Sequence, residues 1–266
     1  QKTFTLYDCA PPLGVVKDML ADPVMPVPTL DRVVQAPVFG SDGTCTVTPG
    51  YHPPSRTYYA PPEGLVVPYV PCEPTAEDVE QAKHLLITEL IGDFPFVDEP
   101  DRAHAMAMSL LPYARDLISG PTPAHSLEAP TPGSGKTLLA HALLFPGCGT
   151  DIKTLTQTKD EEEWKKVMTA AIRDGVAAIL IDNVNRTLDS ASLSSALTAD
   201  IYSGRILGHS DMIEVPVRCV WAFTGNNPTL STEIARRTIR IRIDPGMDRP
   251  FLRDGFRHDD LNTWVA

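Results

Sequence analysis

The run Pro130-Thr131-Pro132-Gly133-Ser134-Gly135-Lys136-Thr137 gathers residue types that suit a bound phosphate chain. Backbone N–H groups converge on an anion only where no Cβ blocks the approach, and Gly133 and Gly135 supply that freedom. Lys136 adds a point charge for the terminal phosphates, and the Thr137 hydroxyl is a hard oxygen ligand for Mg²⁺. The helix expected behind them, from Leu138, turns its positive N-terminus toward the anion. Pro132, Gly133, Ser134, Gly135, Lys136, Thr137 and Leu138 are therefore the candidate nucleotide-binding set, with Thr137 also a metal ligand. Pro130 stands where the loop pattern asks for glycine, and its fixed φ and missing N–H give this loop a different start.

Five further residues are candidates for the same chemistry: Asp182, Asn183, Asn226, Arg236 and Arg237. Asp182 closes the apolar run 176–182, where a Walker B carboxylate would share Mg²⁺ with Thr137; the alternative is a cap on the next helix. The next residue is Asn183, and an amide orients water but cannot take its proton. Hydrolysis is then slow, or a carboxylate from elsewhere, such as Glu163 or Asp189, serves as base. Asn226, past the apolar run 217–224, fits a polar sensor between the γ-phosphate and that carboxylate, although Gly225-Asn226-Asn227 is also good turn chemistry. Arg236 and Arg237 end a short helix from Ser231, and a guanidinium there either completes a neighbouring subunit's site or stays solvated.

The elements that must hold these residues alternate in type from about residue 121: apolar strand, loop, helix, charged helix, apolar strand, helix, hairpin, strand, helix, strand. That order predicts an α/β fold, a parallel sheet flanked by helices with its polar residues at the carboxyl ends of the strands. Residues 75–120 read as a helical lead-in. Thr75 and Asp78 have capping-box spacing ahead of Val79, Ala82, Leu85, Leu86 and Leu90, and a second helix after Pro100 carries Ala103, Ala107, Leu110 and Leu111 until Pro112 bends or ends it. Fourteen of the 26 prolines lie in residues 1–74, which forbids long helices there. Short strands fit instead at Val33-Val34, Ala36-Pro37-Val38-Phe39, Cys45-Thr46-Val47-Thr48, Tyr58-Tyr59 and Leu65-Val66-Val67, with a hairpin turn at Gly40–Gly43.

With 266 residues and 42% hydrophobic content, the chain can bury one good core and a small appendage. A net charge of −11 argues against a broad basic surface wrapped in nucleic acid, though not against DNA in a local channel. The five cysteines have no paired or metal-ligand spacing and read as reduced thiols of a cytoplasmic protein, some of them core filler. No apolar run is long enough for a membrane span. The start at Gln1, without a charged-then-apolar leader, points to a processed or cloned piece and not to a secreted precursor.

As an ordered set, Pro-Gly-Ser-Gly-Lys-Thr (132–137), Ile-Leu-Ile-Asp-Asn (179–183), Thr-Gly-Asn-Asn (224–227) and Ala-Arg-Arg (235–237) resemble an AAA+ P-loop ATPase. The set is most similar to the helicase-like ATPases of phage and mobile-element replication proteins associated with primase-polymerases. Ser203–Pro216 looks like their pre-sensor hairpin, with Arg205 and His209 its candidate cations against Asp211 and Glu214. The resemblance spans residues 121–255 and implies an ATP- and Mg²⁺-dependent motor, a hexameric homo-oligomer on DNA, with single-stranded DNA in a central channel. Lys136, Thr137, Asp182, Asn226 and either Arg236 or Arg237 would fill the family roles. Asn183 and Pro130 depart from the pattern, and the sequence past Asp244 is too short for a full helical lid. A nucleotide-dependent assembly module, such as a replication initiator or loader with little turnover, is the alternative that Asn183 favours. A small-molecule kinase shares the loop but needs an arginine-bearing lid.

Overall fold

The computed structural model describes residues 9–22, 27–205 and 212–266, the side chain of Arg205 excepted. A nine-residue helix, α1 (Leu13–Ala21), occupies a proline-free interval of the proline-rich segment and has no buried residue. The short strands β1 (Arg32–Val34), β2 (Val38–Phe39), β3 (Cys45–Thr46), β4 (Gly50–His52) and β5 (Thr57–Tyr59) follow. β2 and β3 form the expected antiparallel hairpin, while β5 lies between a parallel β1 and an antiparallel β4. Val34, Val38 and Tyr59 are the small core of this region. Leu65-Val66-Val67 forms no strand, since it pairs with no strand among the described residues, and Val66 is exposed.

The Thr75 capping box forms with both of its reciprocal bonds, opening α2 (Ala76–Lys83), which continues as a π-helix over His84–Leu90. Of its apolar residues only Leu90 is buried. The next helix, α3 (Glu99–Ala114), is capped by Asp98 and runs through Pro112. Its buried apolar face is Ala105, Met108 and Leu111, whereas Ala103, Ala107 and Leu110 point outward. Alanines stand on both sides of this helix, so periodicity alone could not choose between them; the larger apolar area of Met108 decides.

The remaining elements are β6 (Ala124–Ala129), α4 (Lys136–Cys148), β7 (Lys153–Thr156), α5 (Glu161–Arg173), β8 (Ala178–Val184), α6 (Ala191–Ala196), β9 (Ile201–Arg205), β10 (Met212–Pro216), β11 (Val220–Asn226), α7 (Thr232–Ala235), β12 (Thr238–Arg242) and α8 (Leu261–Val265). Five strands make one sheet in the order β12-β6-β11-β8-β7, and every neighbouring pair is parallel. One face packs Leu127, Leu180 and Val220 against Met108, Leu139 and Leu143; the other packs Ile179, Ile181, Trp221 and Phe223 against Trp164 and Met168. Helices thus cover both faces, as an all-parallel sheet requires. The edge strand β7 escaped the sequence pattern because only Leu155 of its Lys-Thr-Leu-Thr is buried.

From β6 the chain crosses to the far edge at β7, steps back through β8 and β11, and passes β6 to reach β12 on the opposite edge. Reversals of this kind open a crevice at the carboxyl ends of the central strands. The hairpin β9–β10 pairs from Ile201↔Pro216 to Arg205↔Met212, while its tip, with His209 and Asp211, lies outside the described residues. All five cysteines are free thiols, and burial pushes Cys148 and Cys219 up to about 12. Among the described residues no helix is long and apolar enough to cross a membrane.

Candidate nucleotide-binding site

Strand β6 delivers the chain into the glycine loop, and α4 leaves it at Lys136. Gly133 and Gly135 have φ of 74° and 88°, left-handed values that a side chain would strain. Past Pro130 the loop is tied by Thr131: its carbonyl accepts from Ser134 Oγ at 2.7 Å and from Lys136 Nζ at 3.3 Å. Gly135 is the N-cap of α4, and its carbonyl accepts the Leu139 N–H at 2.8 Å. Pro132 is exposed at the loop's tip, whereas Ser134 is buried beneath it.

Asp182 lies at a β-bulge. The β8–β11 register pairs Ile181 with Phe223 and then Val184 with Gly225, so Asp182 and Asn183 together oppose Thr224. Asn183 takes φ of 56°, a conformation asparagine tolerates better than most residues. The Thr224 hydroxyl accepts the Asn183 N–H at 2.8 Å and donates to Asp182 Oδ1. That same carboxylate oxygen accepts from Thr137 Oγ1 at 2.9 Å. Lys136 Nζ donates to Asn226 Oδ1 at 2.7 Å, joining the loop to the tip of β11. Burial lowers Lys136 from the ordinary lysine value, and the Asp182 carboxylate opposes that shift.

Lys136, Thr137, Asp182 and Asn226 therefore meet in one crevice, although they come from two strands and a helix N-terminus. Thr137 and Asp182 present hard oxygens to one point, a donor set that fits Mg²⁺. Glu163 pairs with Lys166 on α5 at 3.4 Å, and Asp189 is exposed ahead of α6. Arg236 and Arg237 sit at the end of α7, and both pair with Glu233. Arg237 donates to the Glu233 carboxylate at 2.8 Å and to its backbone carbonyl, and its side chain is 24% exposed. Arg236 reaches the carboxylate only at 3.5 Å and is 66% exposed. Neither arginine bonds to the four crevice residues among the described contacts.

Sequence reasoning assigned no role to Thr131, Thr224, Phe94 or Phe251, although all four touch the site. Thr224 carried a usable signal: it stands two residues before Asn226 and so shares its face of β11. The two phenylalanines carried none, because they reach the loop only through the fold. A Cβ on Gly133 would lie 3.5 Å from Phe251, and one on Gly135 would lie 3.6 Å from Phe94.

No protein-family model matches the chain, and no curated protein does. Among solved structures, JCV helicase bound to a thiazolopyridine-phenoxyphenyl acetamide is similar at 18% identity, with a TM-score of 0.39 over 62% of this chain and 50% of that one. A second X-ray structure of JCV helicase is similar at 16% identity, with a TM-score of 0.36 over 55% of this chain and 43% of that one. The chain thus spans half the length of these helicases or less. The likeness is distant, and neither the sheet nor the crevice described above depends on it.

Proposed function

We propose that the chain is an ATP-binding and hydrolysing module of the AAA+ kind, a motor acting on DNA in the replication of a phage or mobile element. The observation that carries the nucleotide part is the meeting of Thr137 Oγ1 and Asp182 Oδ1 at 2.9 Å, beside Lys136 and under a loop whose glycines are left-handed. In this reading the loop N–H groups and Lys136 hold the β- and γ-phosphates, while Thr137 and Asp182 hold Mg²⁺. The bound metal would neutralise charge on the phosphate oxygens. Asn226, already on Lys136, would orient the attacking water or sense the γ-phosphate. Arg236 is the better candidate for reaching a neighbouring subunit, since Arg237 is held at short range by its own helix. A homo-oligomeric ring, hexameric as in the family resembled, with single-stranded DNA in its channel completes the reading.

Asn183 favours a second reading, an assembly module that binds ATP and turns it over little. Its backbone is fixed by Thr224 at a bulge, and its side chain is an amide that cannot act as base. Phosphate release measured at rising protein concentration, with and without single-stranded DNA, separates the two. The motor reading predicts a rate per chain that rises with concentration and with DNA. It also predicts that Lys136→Ala abolishes the rate and that Arg236→Ala lowers it by about a hundredfold or more. A rate per chain independent of concentration counts against an intersubunit arginine, and ATP-driven assembly without phosphate release selects the second reading.

A further inference from the structure

Beside the glycine loop the crevice opens into a cavity of about 250 Å³, walled by the end of the π-helix, the turn at Phe94 and the segment that follows β12. Its apolar lining includes the rings of Phe94, Phe251 and Phe256 beside Leu90, Leu138 and Leu261. The rings begin where the phosphate cradle stops, with Phe251 against Gly133 and Phe94 against Gly135. Phe251 is 70% exposed, so its ring is accessible from the cavity side.

Most of the polar groups around this cavity already hold one another. The Glu89 carboxylate lies 3.4 Å from His258 Nε2 and 4.0 Å from His84 Nε2, and the His258 ring stacks on Trp264 at 4.2 Å. Asp93 accepts the Arg257 N–H at 2.7 Å and faces its guanidinium at 3.4 Å. Arg253 donates to the Asp93 carbonyl at 2.8 Å and lies 5.1 Å from the centre of the Phe256 ring. Asp259 stands exposed on the rim, where water screens it. A flat ring entering this cavity therefore meets aromatic faces, while most of the charged side chains around it already face a partner within the protein, although His258 Nε2 makes no hydrogen bond among the described residues.

We propose that this cavity takes the base of a nucleoside triphosphate by stacking and does not read its edge, so that ATP, GTP, CTP and UTP all serve with similar affinity. The inference rests on the phosphate-site reading above and adds base tolerance to it. Stacking tolerates every base because each has a π-face. Sites built to hydrogen-bond a ligand's polar edge discriminate by roughly 10⁴-fold or more, and apolar pockets by only roughly 10- to 200-fold.

Calorimetric titration of the full chain with the Mg²⁺ complexes of the four nucleotides and of inorganic tripolyphosphate tests this directly. The four nucleotides should bind within about tenfold of one another, and each should exceed tripolyphosphate by about tenfold or more. Phe251→Ala, at a surface position that threatens no core, should lower that nucleotide-to-tripolyphosphate ratio by about tenfold. A preference of more than about a hundredfold for one base, or a ratio that Phe251→Ala leaves unchanged, overturns base stacking. If tripolyphosphate binds as tightly as the nucleotides, the phosphate site stands and the base cavity falls. If neither tripolyphosphate nor any nucleotide binds, the phosphate site falls as well.

Discussion

A single hydroxyl, that of Thr224, satisfies both the Asn183 N–H and one lone pair of Asp182. Replacement by valine keeps the shape and removes both bonds, leaving a backbone donor and a carboxylate short of partners. Thr224→Val should therefore cost about 1–3 kcal/mol in chemical denaturation and weaken the Mg²⁺ dependence of nucleotide binding. Asn183 makes a separate prediction, since its φ of 56° disfavours a branched side chain. Asn183→Val should lose about 1–2 kcal/mol of stability, whereas Asn183→Gly should be close to neutral. The same strain means that Asn183→Glu places a carboxylate on an unfavourable backbone, so unchanged turnover in that variant would not exonerate the missing base. Gly133, Gly135, Lys136, Thr137 and Asp182 could be singled out from the sequence as candidates because phosphate and metal chemistry would restrict the residue type, and the fold brings Lys136, Thr137 and Asp182 together. Thr224 offered only its spacing from Asn226, a weak signal because a β-branched residue in a strand is also ordinary filling.

The bulge in β8 shows the same division one level up. The apolar run predicted a strand ending at Asp182, but the observed strand continues to Val184, with two residues opposite one at the point where the Asp182 carboxylate stands. Pattern reading found the buried strands β6, β8 and β11 and missed β7, whose exposed edge position leaves it almost no apolar signature. The opposite edge, β12, is protected by α3. Asp101 Oδ1 accepts the Arg242 N–H at 2.9 Å, and His104 Nδ1 meets the Arg240 carbonyl at 3.0 Å. These side chains occupy backbone groups that would otherwise invite another strand. Asp101 also pairs with the Arg242 guanidinium at 2.9 Å, a contact partly screened because Arg242 is 39% exposed. Asp101→Ala should destabilise the fold by about 2 kcal/mol and raise its tendency to aggregate, measured by denaturation and light scattering.

At the scale of the whole molecule, stability should fall in mild acid because of a histidine buried in the sheet. His125 is buried on β6, and desolvation, with His104 nearby adding repulsion, lowers its pKa to about 4. The unfolded chain protonates this ring below about pH 6.5 while the folded chain does not, so stability is full above that value and declines as pH falls toward 4. Between pH 7 and pH 5 the expected loss is about 2 kcal/mol, and His125→Gln should flatten that slope in urea melts. The central claim is tested most directly by isothermal calorimetry of Mg²⁺-ATP with the wild-type chain, Lys136→Ala and Asp182→Ala. The account predicts one site per chain, weakened at least about tenfold by Lys136→Ala, and an affinity that no longer responds to Mg²⁺ in Asp182→Ala. Wild-type heat of binding unchanged in both variants, or no uptake of nucleotide by the wild type, would contradict it.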